Sequence, residues 1–160
     1  MFRELARVKQ KLDNQECIEL LKSEKRGILS VIGDGGYPYC MPMNYFFDEK
    51  ENKLYFHGSR KGHKIDALNE CSKVCFCVYN SGVSAEARGK KGLDFKSVIV
   101  FGRVQFISSR EKAMDICWKI SSKFDFGQEY TENEIKQFGK FVLCFEVEIE
   151  HISGKTVNES

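Results

Sequence analysis

Residues 141–149 place Phe141, Leu143, Phe145, Val147 and Ile149 at every second position, and Glu146, Glu148 and Glu150 fall on the opposite phase. Only an extended strand puts i, i+2 and i+4 on one face. A second run, 95–107, alternates Val98, Val100, Gly102 and Val104 with Ser97, Ile99, Phe101 and Arg103. Large apolar groups on both phases mark it as a central strand. They also exceed what one small sheet protein covers by itself, which predicts self-association.

The remaining pattern repeats this alternation in shorter pieces. Residues 27–32, 37–47 and 54–57 read as a three-strand meander, with turns at Gly33-Asp34-Gly35-Gly36 and at 48–53. Residues 74–79 form another buried strand, followed by a glycine-bearing loop over 80–93. Helical spacing is confined to the margins. Phe2, Leu5, Val8 and Leu12 predict a first helix, and Asp13 with Glu16 forms a capping box that opens a second, ending near Glu24. Residues 64–69 predict a short helix. Ser108 with Glu111, and Thr131 with Glu134, predict capping boxes for two more. The whole is a single domain over 1–160, with N-terminal helices in 1–24 and a tail at 151–160. It is a mainly β class with peripheral α, a six-stranded antiparallel barrel.

Composition narrows the function. The net charge of +2 is too small to imply nucleic-acid or membrane binding. No apolar stretch approaches the length of a membrane span, and the charged start resembles no signal peptide. Seven cysteines in apolar runs fit buried free thiols in the reducing cytoplasm. Cys71, Cys75 and Cys77 lack the paired spacing of a zinc site, so no metal is expected.

The segment Phe56-His57-Gly58-Ser59-Arg60-Lys61-Gly62-His63-Lys64 carries the most chemistry. Its glycines let backbone N–H groups approach a ligand, Ser59 offers a hydroxyl, and Lys61 and Lys64 offer charge. A helix starting near Gly62 adds its positive end. The segment is either a phosphate cradle or a solvated basic turn. Other motifs dissolve on inspection. Gly33-Asp34-Gly35-Gly36 joins two strands and opens no helix, so it is a hairpin turn. Ser109-Arg110-Glu111-Lys112 opens a helix without the companion motifs of an acyl-transfer enzyme.

Gly27-Ile28-Leu29-Ser30, Gly36-Tyr37-Pro38-Tyr39, Met41-Pro42-Met43-Asn44-Tyr45, Leu54-Tyr55-Phe56-His57-Gly58 and Gly62-x-Lys64-x-x-x-Leu68, in that order, resemble the pyridoxamine 5′-phosphate oxidase-like flavoproteins. Their nitroimidazole-resistance (Nim-type) branch is the most similar, and Ser97-Val98-Ile99-Val100-Phe101-Gly102 resembles its central strand. The resemblance spans roughly residues 1–150. It implies an FMN-binding split β-barrel and a homodimer with FMN at the subunit interface. Met41, Pro42, Met43, Asn44 and Tyr45 would lie along the flavin ring. His57, Gly58, Ser59 and Lys64 would hold the phosphate, with Lys61 and His63 nearby, and Ser97 would touch the ring, from the other subunit.

The same resemblance implies an FMN-dependent oxidoreductase that takes hydride from NAD(P)H and reduces a small acceptor such as a nitroaromatic. It is not a true pyridoxamine phosphate oxidase, because no arginine follows Arg110 to grip a substrate phosphate. Nor does an arginine stand at Met41, where the oxidases carry one. His57 is either a catalytic proton donor or a strand-end histidine that only bonds backbone or phosphate. A flavin- or haem-binding module without rapid turnover is the alternative function, since one fold serves both.

Overall fold

The computed structural model describes residues 2–89 and 91–158. Seven strands form one antiparallel sheet: β1 (Arg26–Ile32), β2 (Pro38–Asp48), β3 (Lys53–Gly58), β4 (Lys73–Tyr79), β5 (Val83–Ser84), β6 (Leu93–Phe106) and β7 (Leu143–Asn158). Four helices lie at the periphery: α1 (Asn14–Ser23), α2 (His63–Glu70), α3 (Arg110–Ser122) and α4 (Gln128–Phe138). Strand order is β4-β1-β2-β3-β7-β6-β5, and β4 also pairs with β6. Six strands therefore close a circuit of hydrogen bonds, and only the two-residue β5 lies outside it. Among the described residues no helix is long and apolar enough to cross a membrane.

The alternation seen in the sequence explains the interior. Leu29, Val31, Tyr45, Phe47, Leu54, Phe56, Phe76, Val98, Val100, Phe145 and Val147 point inward and are buried. Leu20 and Leu21 of α1 join them. The capping box forms as expected: Asp13 accepts from the Glu16 N–H at 2.8 Å, and Glu16 accepts from the Asp13 N–H at 3.1 Å. Outside β3 and β7, a second cluster of Tyr55, Ile116, Cys117, Ile120 and Cys144 packs beneath α3. This cover also buries Glu146, which lies on the outward phase of β7. Lys53 and Lys112 meet its two oxygens at 2.6 and 2.7 Å.

Several expected elements take other forms. No helix forms over 2–12; a short 3-10 turn, Val8–Gln10, is all the helix there. Leu12 N–H donates to the Gly154 carbonyl at 2.9 Å, and Phe2 stacks on Phe101 and His151, so the apolar residues find partners across the sheet. The expected tail at 151–160 is strand as far as Asn158, paired with β6. Residues 159 and 160 lie outside the described residues. The cap of α3 is Ser109, which accepts from the Lys112 N–H at 3.3 Å; Ser108 caps nothing. Thr131 lies inside α4 and donates to the Gly127 carbonyl at 3.0 Å instead of opening the helix. The β6–β7 ladder shifts register between Phe101 and Gly102, leaving Glu150 as the extra residue. Gly102 is needed there: a Cβ would stand 2.3 Å from the Glu148 carbonyl oxygen.

Candidate functional site: the end of strand β3 and the start of helix α2

β3 ends at Gly58, and residues 59–62 turn the chain into α2. Gly62 takes φ +118°, a value open to glycine alone. Its carbonyl accepts the Ile65 and Asp66 N–H groups at 2.8 and 3.2 Å. No side chain caps this helix. Among the described residues nothing accepts from the N–H groups of His63 and Lys64, so two donors and the positive end of the helix face outward.

The Lys64 side chain folds back over the end of β3. Its Nζ lies 3.5 Å from Met43 Sδ and 5.7 Å from the centre of the Phe145 ring. A Cβ on Gly58 would sit 2.9 Å from that nitrogen, so the ammonium occupies the room glycine leaves. Among the described residues no carboxylate pairs with it. Burial pushes its pKa below the ordinary lysine value. A half-buried, unpaired ammonium beside free N–H groups is suited to an anion with several acceptor oxygens, such as a phosphate.

His57 precedes Gly58 by one residue and therefore points to the other side of the strand. It lines a cavity of about 200 Å³ with Cys117, Tyr130, Thr131, Phe138 and Val142, between α3 and α4. Its ring makes no hydrogen bond among the described residues. Burial, helped by the positive charge of Lys64, holds its pKa below 6.5, so it is neutral near pH 7. Sequence reading put His57 and Lys64 in one grip. The structure puts them on opposite faces of one strand end, close enough to interact electrostatically.

The other expected residues divide in the same way. Met41 and Met43 pack toward the interior. Tyr45 is wholly buried, so its side chain offers a ligand nothing. Pro42 and Asn44 face outward, and Asn44 Oδ1 accepts from Arg26 Nε at 2.7 Å. Ser59 Oγ accepts from the Lys61 N–H at 3.2 Å, and the Lys61 side chain is exposed. His63 stacks on Tyr39 with ring centres 4.3 Å apart, and its Nε2 accepts from the Asp34 N–H at 3.3 Å. It clamps the β1–β2 turn rather than reaching the Lys64 ammonium. Ser97 is in register with Tyr79 and Lys155 on the far side of the circuit from β2. The cavity beside His57 was not foreseen, because its walls come from three elements; the aromatic run Phe124–Tyr130 was its one visible trace.

Residues 13–156 match a family model described as pyridoxamine 5′-phosphate oxidase. No curated protein matches the chain. Among solved structures, a candidate 5-nitroimidazole antibiotic resistance protein from Bacteroides thetaiotaomicron superimposes with TM-score 0.78 at 19% identity, over 91% of this chain and 86% of that one. An FAD and heme binding protein from Mycobacterium smegmatis gives TM-score 0.73 at 18% identity, over 94% and 74%. An FAD-binding protein from Mesorhizobium loti gives 0.66 at 23% identity, over 93% and 98%.

Proposed function

The chain belongs to the pyridoxamine 5′-phosphate oxidase family, and from that premise we propose that it is an FMN-dependent oxidoreductase of the Nim type. The closed circuit of six strands is read as the split β-barrel of that assembly. The observation that carries the reading is Lys64: a half-buried ammonium with no carboxylate partner, over Gly58, at the uncapped start of α2. A phosphate monoester supplies the missing counter-charge and accepts from the free N–H groups of His63 and Lys64.

From that anchor the flavin ring would run along β2, with Met41, Pro42, Met43 and Asn44 beside it. Ser97 would come from a second copy of the chain, since within one copy it stands across the circuit. The outward faces of β4 and β6 carry Cys75, Cys77, Ile99 and the exposed Phe101, an apolar surface suited to pairing two copies. Bound flavin supplies hydride transfer, here from NAD(P)H to a small acceptor such as a nitroaromatic. The protein's part is to hold the phosphate with Lys64, orient the ring on β2, and keep His57 neutral and able to move a proton nearby. A cytoplasmic setting fits seven cysteines that are all free.

The absorption spectrum of purified protein, followed by titration with FMN, FAD and riboflavin, tests this reading. Flavin bands with FMN bound more tightly than riboflavin are expected. A haem Soret band, or no affinity for any flavin at micromolar concentration, overturns it. Oxidation of NAD(P)H that depends on an added nitroaromatic then distinguishes an enzyme from a flavin carrier.

A further inference from the structure

Cys117 on α3 and Cys144 on β7 bring their sulfur atoms to 3.8 Å in the cluster beneath α3. The other five cysteines are arranged differently. Cys40 and Cys75 both pair with Ser30, one on each side, so two strand spacings of about 9.5 Å separate them. A disulfide spans Cα atoms no more than about 7 Å apart. Cys75 and Cys77 stand side by side on one strand face, about 6.6 Å apart, at the edge of that reach. Cys17 packs where Gly154 has no side chain, and Cys71 ends α2.

The pair is buried yet reachable. Cys117 forms part of the wall of the 200 Å³ cavity that also holds His57. A water molecule takes about 30 Å³ in the liquid, so the cavity has room for a small peroxide. Cys144 lies behind Cys117, with the Ala113 carbonyl 3.5 Å from its sulfur. The contact between the two sulfurs favours one thiolate over the other: it lowers the Cys117 thiol in spite of burial and, with burial, raises Cys144. Cys117, which faces the cavity, is the nucleophile, and Cys144, behind it, is the resolving thiol.

We propose that Cys117 and Cys144 are a peroxide-oxidised dithiol, in which a hydroperoxide admitted through the His57 cavity converts the pair to an internal disulfide. The Cys117 thiolate attacks one peroxide oxygen, the O–O bond breaks, and hydroxide leaves and takes up a proton as water. The resulting sulfenic acid is attacked by the Cys144 sulfur. An S–S bond forms, the S–O bond breaks, and the second hydroxide leaves as water with the Cys144 proton. Two thiols and one hydrogen peroxide give one disulfide and two waters, with two electrons passing from sulfur to peroxide. No flavin enters the step, so it stands apart from the function proposed above.

The test treats reduced, purified protein with a few equivalents of hydrogen peroxide, alkylates the remaining thiols and maps them by mass spectrometry. Two of the seven thiols should be lost, and one cross-link should join the Cys117 and Cys144 peptides and open with dithiothreitol. In Cys144→Ala the cross-link should vanish, and dimedone should trap Cys117 as its sulfenic acid. Retention of all seven thiols overturns the proposal, as does a cross-link between any other pair. Mapping of the wild-type protein decides the matter even if the variant fails to fold.

Discussion

The Tyr45 hydroxyl donates to the Leu21 carbonyl at 2.7 Å, across the interior from β2 to the last turn of α1. Both residues are completely buried, and burial pushes the phenol far above its ordinary pKa. The bond satisfies a helix-end carbonyl and fixes α1 over the end of the circuit.

Tyr45→Phe should therefore cost stability and leave ligand binding alone. It strands a buried carbonyl at a cost of about 1–2 kcal/mol. Urea unfolding should show that loss with an unchanged slope, and the folded variant should keep its FMN affinity. A wild-type midpoint with weakened FMN binding would return Tyr45 to the binding surface.

Lys64→Ala should weaken FMN binding about tenfold to a hundredfold, because a charge-assisted bond to phosphate contributes roughly 1.5–3 kcal/mol. Lys61→Ala and Lys91→Ala, both at exposed positions, should change it by less than about 1 kcal/mol. Riboflavin, which lacks the phosphate, should bind all variants alike. Flavin fluorescence quenching at fixed salt measures this, and equal small losses in all three variants would reduce the loop to a solvated turn.

Gly58→Ala probes the same cradle from the other side. The new Cβ would meet Lys64 Nζ at 2.9 Å, and that flexible end can move aside. The fold should survive while FMN affinity falls about threefold to tenfold, a loss of at most about 1.4 kcal/mol. An unchanged affinity would mean that the ammonium position is irrelevant to the ligand.

Glu146 is 4% exposed and held by two ammonium groups. Burial alone would raise its pKa, but the bonds from Lys112 and Lys53 outweigh it and the value lies below 4.5. Its contribution is present above the unfolded value of 4.5 and is lost as pH falls through the folded one. Glu146→Gln should cost about 1–3 kcal/mol near neutral pH. The difference from wild type should shrink in acid, as denaturant titrations at both pH values would report. A difference independent of pH would contradict the ionised pair.

Lys123 gives a slope of the same sign in a more alkaline window. Its ammonium lies 4.1 Å from the centre of the Tyr45 ring and donates to the Glu24 carbonyl. Burial brings its pKa from 10.5 down to about 8. Between those values the unfolded chain holds the proton more tightly, so stability from this group rises with pH across that window. The thermal midpoint of wild type, relative to Lys123→Met, should climb from about pH 8 to pH 10. A flat difference would place the ammonium in water.

Most strands could be read from alternation, and the Asp13–Glu16 box from its spacing. What failed was decided elsewhere in the chain. Phe2, Leu5, Val8 and Leu12 have helical spacing, yet Gly154 and His151 offer better partners across the sheet. Residues 151–158 lack strong alternation because Glu150 bulges and shifts the phase. Ser108 and Ser109 are adjacent candidates, and a one-residue difference decides which caps α3. The separation of His57 from Lys64 was available in the sequence, since adjacent strand residues point oppositely. The burial of Glu146 was not, because it depends on where α3 lands.

β7 has a further meaning for how the protein comes into being. It pairs with β3 through Lys53↔Glu148 and with β6 through Phe106↔Phe145, and among the described residues it is the one strand that pairs with both. During synthesis a chain that has emerged only as far as Phe106 has two unsatisfied strand edges. Such edges template pairing with other chains, and closure over so long a sequence separation is slow. A ribosome that stalls before residue 143 thus releases a sheet open on both sides, and the hazard ends only when the last strand arrives between them.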